Sequence, residues 1–330
     1  MTTGSDWLRA DLHVHSYHSG YASHMRFLRT RDCYSDPDDV YRVAKARGMN
    51  LVTITDHDSI DGCLEFLERH PDAADFFISE EVECAIPELS TKAHIGVYGL
   101  TERMHRDLQP LRANAYDVAA YLREQNVCFA LNHLFFFYRR SVPFDRYIRA
   151  LLPLFPAFEL RNGAMLEEHN ELICAVIEAA FAGRVPPGGT AGSDSHTLRR
   201  IGRTYTEAEG GNREDFLRNI RIGRSRVGGA HGSALGVAAE IYGVVSRYWA
   251  TLAGFGRPDL SWQTRVVGAV CSVASIPVEF LPLLIAVLQK RVEARTVAAC
   301  RDAFESAHAA RSIRQRASSA AMFVREPDQS

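Results

Sequence analysis

The stretch Asp11-Leu12-His13-Val14-His15-Ser16 decides how the rest of the chain is read. Trp7, Leu8 and Ala10 ahead of it are apolar, and the sequence turns polar directly after it. That pattern predicts a short buried strand whose C-terminal end carries two histidines. Side chains two apart on a strand point the same way, so His13 and His15 can converge on one metal ion from a single rigid element. An isolated His-x-His is a weak signal. Its weight comes from later segments that end in the same residue types.

Outward from this stretch, the region Tyr17 to Arg31 is irregular, and Ser35-Asp36-Pro37-Asp38-Asp39 has the capping residue, early proline and acidic first turn of a helix start. A helix over Val40 to Arg47 stops at Gly48. The β-branched run Leu51 to Thr55 then ends in Asp56-His57-Asp58. A helix from Cys63 to Arg69 precedes Phe76-Phe77-Ile78, which runs into Glu80-Glu81-Val82-Glu83. His94 to Gly99 forms another short strand. A helix at about 110–125 leads to the strand Cys128 to Leu131, closing on Asn132-His133. The strand Ala157 to Leu160 closes on Arg161-Asn162. A helix over 165–182 precedes a strand near Thr190 that closes on Gly192-Ser193-Asp194-Ser195-His196. Strands alternating with helices predict a parallel sheet, open or closed into a barrel. Ligands collect at the carboxyl ends of such strands, and nearly every one of the candidates His13, His15, His57, Glu81, His94, His133, Asp194 and His196 sits at such an end.

Imidazole and carboxylate without thiolate favour zinc, manganese or iron over calcium or magnesium. Eight such groups exceed the needs of one tetrahedral ion, so two or three divalent ions are expected. Ions bridged by a carboxylate suit hydrolysis of phosphate esters, because one can acidify a water while another neutralises the phosphoryl oxygens. Alternation places Glu81 and Glu83 on one face, and Glu80, Glu81 and Glu83 are all open as ligands on this reading. Asp56 is expected to support His57, and Asp58 to do likewise or to protonate the leaving group. His18 and His24 are further general-acid candidates. Arg161, following a strand, and Arg26, Arg29 and Arg31, near the first ligands, are candidates for phosphate recognition. His70, His105, His169, His231 and His308 fall on helices or turns and are expected to be solvated or locally bonded.

In order as well as content, Asp-Leu-His-Val-His-Ser, Ile-Thr-Asp-His-Asp-Ser-Ile-Asp-Gly, the Glu81 segment, Ala-His-Ile-Gly, Asn-His-Leu and Gly-Ser-Asp-Ser-His resemble the motifs of the PHP (polymerase and histidinol phosphatase) family, over roughly residues 8–205. The resemblance implies an α/β fold, a distorted (β/α)7 TIM-like barrel, with up to three metals and phosphoesterase activity. Carried over by position, it gives His13, His15, Glu81 and Asp194 to one ion, His57 and His196 to a second, and Glu81, His94 and His133 to a third. The family's further ligand to the second ion shortly follows the first motif. Counting forward lands on Gly20, which cannot ligate; counting back from Pro37 lands on Asp32. An insertion of about a dozen residues in Tyr17 to Arg31 reconciles the two counts, since loops tolerate such lengths at small entropic cost. Asp32 is therefore chosen, with His18 and His24 behind it. Leu134 stands where the family more often has proline, which touches loop shape and not ligation.

The whole chain has 330 residues, 46% of them hydrophobic, and a net charge of −2. It can bury a large core as one or two domains, and a dedicated nucleic-acid binder would carry a basic excess. Seven scattered cysteines without a close pair suit a reducing compartment. With no signal-peptide pattern at the N-terminus, a cytoplasmic protein is expected. The metal-dependent hydrolase barrel is placed at 8–230, a C-terminal α-helical extension at 231–316 and a disordered tail at 317–330. Val266 to Leu288 is apolar enough to raise the question of a membrane span. Pro277, Glu279 and Pro282 in its middle favour a buried helical pair, packed on the barrel or on a second subunit. Self-association or peripheral membrane contact through these helices is the corresponding partner expectation. The function these observations favour is hydrolysis of a small phosphomonoester, such as a nucleotide or sugar phosphate. The rivals are a metal-dependent C–N hydrolase and a catalytically silent metal-binding sensor or assembly module.

Overall fold

The short connections and apolar runs of the chain build a curled mixed sheet. The computed structural model describes residues 7–22, 30–255, 260–275 and 280–323. His24, Arg26 and Arg29 lie outside the described residues. Strand β1 (Trp7–Ala10) is followed by helix α1 (Pro37–Ala46), which Asp36 caps by accepting from the Asp38 amide, with Pro37 in the first turn. Then come β2 (Val52–Ile54), α2 (Asp61–Arg69), β3 (Phe76–Ile86) and β4 (Thr91–Tyr98). Helices α3 (Glu102–Leu108) and α4 (Ala115–Glu124) precede β5 (Cys128–Leu131), and α5 (Phe144–Leu151) precedes β6 (Ala157–Asn162). Helix α6 (Glu167–Ala180), β7 (Gly188–Gly192), β8 (Thr204–Glu209), α7 (Arg213–Arg221) and β9 (Ser225–Gly229) complete the α/β part. The C-terminal helices are α8 (Ala234–Leu252), α9 (Trp262–Ser275) and α10 (Leu281–Phe323).

Six strands form one sheet in the order β2-β3-β4-β5-β6-β7, and β1, β8 and β9 form a second, antiparallel one. The wholly parallel sheet expected from the alternation is corrected: β4 runs antiparallel to both β3 and β5. The cause is local. Only the turn Pro87–Leu89 and Ser90, left-handed at φ 48°, separate β3 from β4, and a parallel crossover needs a dozen residues or more. Residues 11–16 run on from β1 and hydrogen-bond to both edges of the larger sheet. The Val14 carbonyl accepts from the Thr55 amide at 2.8 Å, while the Asp194 amide donates to the His13 carbonyl at 2.7 Å and the His15 amide to that of Ser195 at 3.2 Å. The sheet thus curls until its edges meet at the histidine pair.

The main core lies outside the sheet, where Val118, Leu122, Ile173 and Val176 of α4 and α6 cover Val82, Ile95, Val97, Phe129 and Phe158. A second cluster packs Val40 and Phe66 of α1 and α2 on Ile54 and Phe76. The inner face carries a smaller apolar cluster that includes Leu12, Phe77, Tyr98 and Ala130, together with polar side chains.

One expectation for the C-terminal region is corrected. Helix α9 is not buried against the barrel: Val266, Val270 and Val273 are 54–66% exposed in the single chain, because α9 packs chiefly on α8. Helix α10 is described as far as Phe323, and residues 324–330 of the expected tail lie outside the described residues. No helix among the described residues is long and apolar enough to cross a membrane.

Candidate metal centre

Alternation along β3 turns Glu81 inward and Glu80 outward. The two part company completely: Glu80 is bonded to His105 Nδ1 at 2.8 Å on the outer side, and Glu81 sits among the histidines. Its carboxylate lies within 4 Å of five imidazoles, at 3.2 Å from His13, 3.8 Å from His15, 2.9 Å from His57, 3.1 Å from His94 and 3.2 Å from His133. Asp194 lies 3.5 Å from His13 and 3.4 Å from His15. Asp32 lies 2.8 Å from His196 and 3.6 Å from His57. The structure therefore brings together His13, His15, Asp32, His57, Glu81, His94, His133, Asp194 and His196. Glu83 is peripheral, paired with Lys92 at 2.6 Å and touching His94 at 3.5 Å.

The backbone is bent to reach this arrangement. Asp58, His133 and Asp194 adopt positive φ of 51°, 29° and 50° at strand ends, a conformation costly for residues with a Cβ and found where a site demands it. Gly192 is required for another reason. A Cβ there would stand 2.2 Å from the His13 Cβ, so only glycine allows β7 to approach the histidine strand.

Ring orientation is set from behind. Glu159 on β6 is buried and accepts from His13 Nδ1 at 2.8 Å, from the His133 amide at 2.9 Å and from Asn162 Nδ2 at 3.0 Å. A carboxylate can only accept, so His13 donates from Nδ1, and Nε2 is the nitrogen it turns inward, the one with a lone pair for a metal once the ring is neutral. For His15 the logic takes two steps. The Ser19 hydroxyl donates to Asp56 at 2.7 Å, so it accepts from His15 Nδ1 at 3.0 Å and leaves Nε2 free. Asp56 also accepts from the Ser16 amide at 2.6 Å; it backs His15 through Ser19 and not His57, the partner the sequence suggested. Asn132 donates to Glu81 at 2.9 Å and Asn162 to Asp194 at 3.1 Å. Buried Asp11 accepts from the Ser193 amide at 2.8 Å and the Gly202 amide at 2.7 Å, tying the loop before Asp194 to the histidine strand.

Electrostatics divide the histidines. Burial, with His196 and His57 nearby, pushes His15 down to about 3. Burial also opposes charge on His94 and His196, yet Glu81 lifts His94 to about 9 and Asp32 lifts His196 to about 10. Burial works against the charge on Glu81 and Asp194 too, but His13 and its neighbours hold both carboxyls well below the usual range.

The donor set fits metal ions on geometric grounds. His13 Nε2, His15 Nε2, Glu81 Oε2, His94 Nδ1 and His133 Nδ1 are buried without a hydrogen-bond partner, a cost of a few kcal/mol each if nothing else satisfied them. Ligand atoms of His15, His57 and His196 lie within 4.8 Å of one another, as do those of His13, His15 and Glu81, of His13, His133 and Asp194, and of His57, Glu81 and His94. Among the described residues no cysteine joins these groups, and the Cys33 thiol donates to the His15 carbonyl at 3.2 Å.

Three candidates are engaged by other groups. Arg161 donates to the Gly229 carbonyl at 2.8 Å and borders α6. Strict alternation would have put it beside Glu159, but an irregularity between Glu159 and Arg161 shifts the register and turns Asn162 inward instead. Asp58 is held by Arg112 and by the Glu83 amide at 2.8 Å. His18 meets Glu65 of α2 at 2.6 Å. Glu159, Ser19 and Asn162 were missed. The one signal for Glu159 was a carboxylate inside an otherwise apolar strand. Among the described side chains, His70 is bonded to Asp38, His169 to Glu293 and His231 to Asn170, and the His308 side chain lies outside them.

Comparison with known proteins gives the family context. Residues 178–225 match the family model described as PHP-associated. The uncharacterized protein MJ1587 of Methanocaldococcus jannaschii is 38% identical over 58 residues, 18% of this chain and 33% of that protein, so the match spans about a third of the curated relative. PsfC from Pseudomonas syringae PB-5123 is 16% identical, with 74% of this chain and 99% of that chain covered and a TM-score of 0.48. A Bacteroides vulgatus two-domain protein, described as containing a predicted PHP-like metal-dependent phosphoesterase, is 14% identical over 73% of this chain and 71% of its own, with a TM-score of 0.44.

Proposed function

We propose that this chain, with its PHP-associated segment, is a metal-dependent phosphoesterase that hydrolyses a small phosphomonoester. The observation that carries the reading is the convergence of buried donor atoms, without hydrogen-bond partners, around the shared carboxylate of Glu81. In this reading His13, His15, Glu81 and Asp194 hold one ion, His57, His196 and Asp32 a second, and Glu81, His94 and His133 a third. Two or three zinc, manganese or iron ions would, when bound, polarise the phosphoryl oxygens and acidify a water molecule.

The chain's own groups do the rest. Glu159 and Ser19 fix the tautomers of His13 and His15, so both Nε2 lone pairs stay directed inward. Glu81 offers charge to several neighbours at once, which allows more than one cation to be held close together. The rim formed by His57, His196 and Asp32, 26–31% exposed, gives the substrate its approach, while His13 and His15 remain at the closed end.

Metal analysis of purified protein tests the first half, with around two or three equivalents expected. His13→Ala and Asp194→Ala should each abolish phosphate release from 4-nitrophenyl phosphate without loss of helical signal. Full activity in both variants, or a folded protein that takes up no transition metal from a metal buffer, would sink the proposal.

A further inference from the structure

The segment after His133 places an aromatic wall beside the metal centre. Leu134 and Phe135 are buried in the main core, yet Phe136 between Phe135 and Phe137 is 56% exposed. Its ring centroid lies 5.0 Å from that of His133 and 6.5 Å from that of His94. Phe137 backs it edge-on at 4.8 Å and 86°, and itself stands 4.8 Å from His94. A lone exposed phenylalanine is ordinary. This one borders two candidate ligands of the same site, and its backbone is fixed. The Phe136 amide donates to the His133 carbonyl at 2.8 Å, Tyr147 donates to the Leu134 carbonyl at 2.6 Å, and Thr91 donates to the Phe137 carbonyl at 2.8 Å.

We infer that Phe136, braced by Phe137, is a stacking platform that selects substrates with a flat aromatic ring in the leaving group. The inference rests on the phosphoesterase reading for its location and adds the substrate class. A rigid, solvent-facing ring suits stacking because the face is presented without further ordering cost. A nucleobase and a simple aryl ring share this chemistry; a sugar phosphate lacks the flat face.

The test uses the full-length, metal-loaded protein and three probes: adenosine 5′-monophosphate, 4-nitrophenyl phosphate and glucose 6-phosphate. Phe136→Ala should lower kcat/KM for one or both aromatic probes on the order of tenfold, through KM, and leave glucose 6-phosphate within about twofold. Phe136→Tyr should restore the aromatic probes. Loss on adenosine monophosphate alone identifies the platform as a nucleobase site, and loss on nitrophenyl phosphate alone as an aryl site. Equal change on all three, or none, overturns the inference. Equilibrium dialysis with adenosine and 4-nitrophenol provides a readout independent of turnover. If none of the three phosphates is hydrolysed, the phosphoesterase reading fails. Retention of either ring compound by wild type but not by Phe136→Ala then still supports the platform, and retention of neither overturns it.

Discussion

Glu159→Gln is the sharpest probe of how the centre is built. The substitution preserves size and removes one charge at a buried position. Two donors, the His133 amide at 2.9 Å and Asn162 Nδ2 at 3.0 Å, share one carboxylate oxygen, while His13 Nδ1 meets the other at 2.8 Å. A glutamine keeps its oxygen on the pair of donors and turns its NH2 toward His13. That ring must then accept at Nδ1 and carry its proton on Nε2, facing Glu81 at 3.2 Å and Asp194 at 3.5 Å. In that tautomer His13 cannot ligate. Loss of such a supporting carboxylate costs roughly 10–100-fold in metal affinity, or about 1.4–2.8 kcal/mol. Competition against a chromophoric chelator measures this, with the melting of chelator-treated protein as the control for folding. A Glu159→Gln protein that binds metal within about twofold of wild type would refute the assignment of the His13 proton.

Further outcomes follow from particular groups. In metal-free protein the raised His94 and His196, at about 9 and about 10, are protonated at pH 7. Metal loading should release protons, with apparent affinity rising between pH 6 and 9, as read by calorimetry in buffers of different ionisation heat. The same raised values add stability to the metal-free fold that is complete below about pH 6.5 and is lost as pH climbs through 9 to 10. A metal-free protein whose melting temperature rises over that interval would contradict the pairing. Gly192→Ala forces apart the two strands that meet at His13, and should destabilise by roughly 1–3 kcal/mol and weaken metal retention together. Unchanged melting would show that β7 can recede. Burial pushes the thiols of Cys33, Cys63 and Cys128 up to about 12, so these three should resist an aromatic disulfide reagent at pH 8 until the protein is denatured.

Most of the candidate ligands were legible because they follow recognisable strands, as His57, His133, Asp194 and His196 do, whereas Glu81 and His94 lie inside β3 and β4. Glu81 could be separated from Glu80 by alternation, since opposite faces lead to opposite partners, but its preference over Glu83 required the family resemblance. Asp32, reached by counting back from Pro37, does stand beside His57 and His196. Periodicity was least informative where it breaks. The irregularity in β6 exchanges Arg161 for Asn162 at the inner face, and one shifted residue is invisible in an alternating pattern. The reversal at β4 follows from a connection length that was present in the sequence yet outweighed by the regular alternation around it. In the small sheet, β1 pairs with β8 across about two hundred residues, a separation over which local pattern says nothing.

The attachment of the last helices has a practical consequence. Glu293 on α10 accepts from the Leu166 amide at 2.7 Å and meets His169 at 3.1 Å, and Lys290 donates to the Ala164 carbonyl at 2.5 Å. Glu240 on α8 accepts from Thr197 at 2.9 Å and Ser195 at 3.3 Å, on either side of His196. The loops that follow Asn162 and Asp194 are thus fastened by side chains from far downstream. Trimming the protein after Gly229, where the last strand ends, would leave every candidate ligand in place and remove the clasps at two sides of the opening. The smallest unit worth expressing on its own therefore extends at least through Glu293.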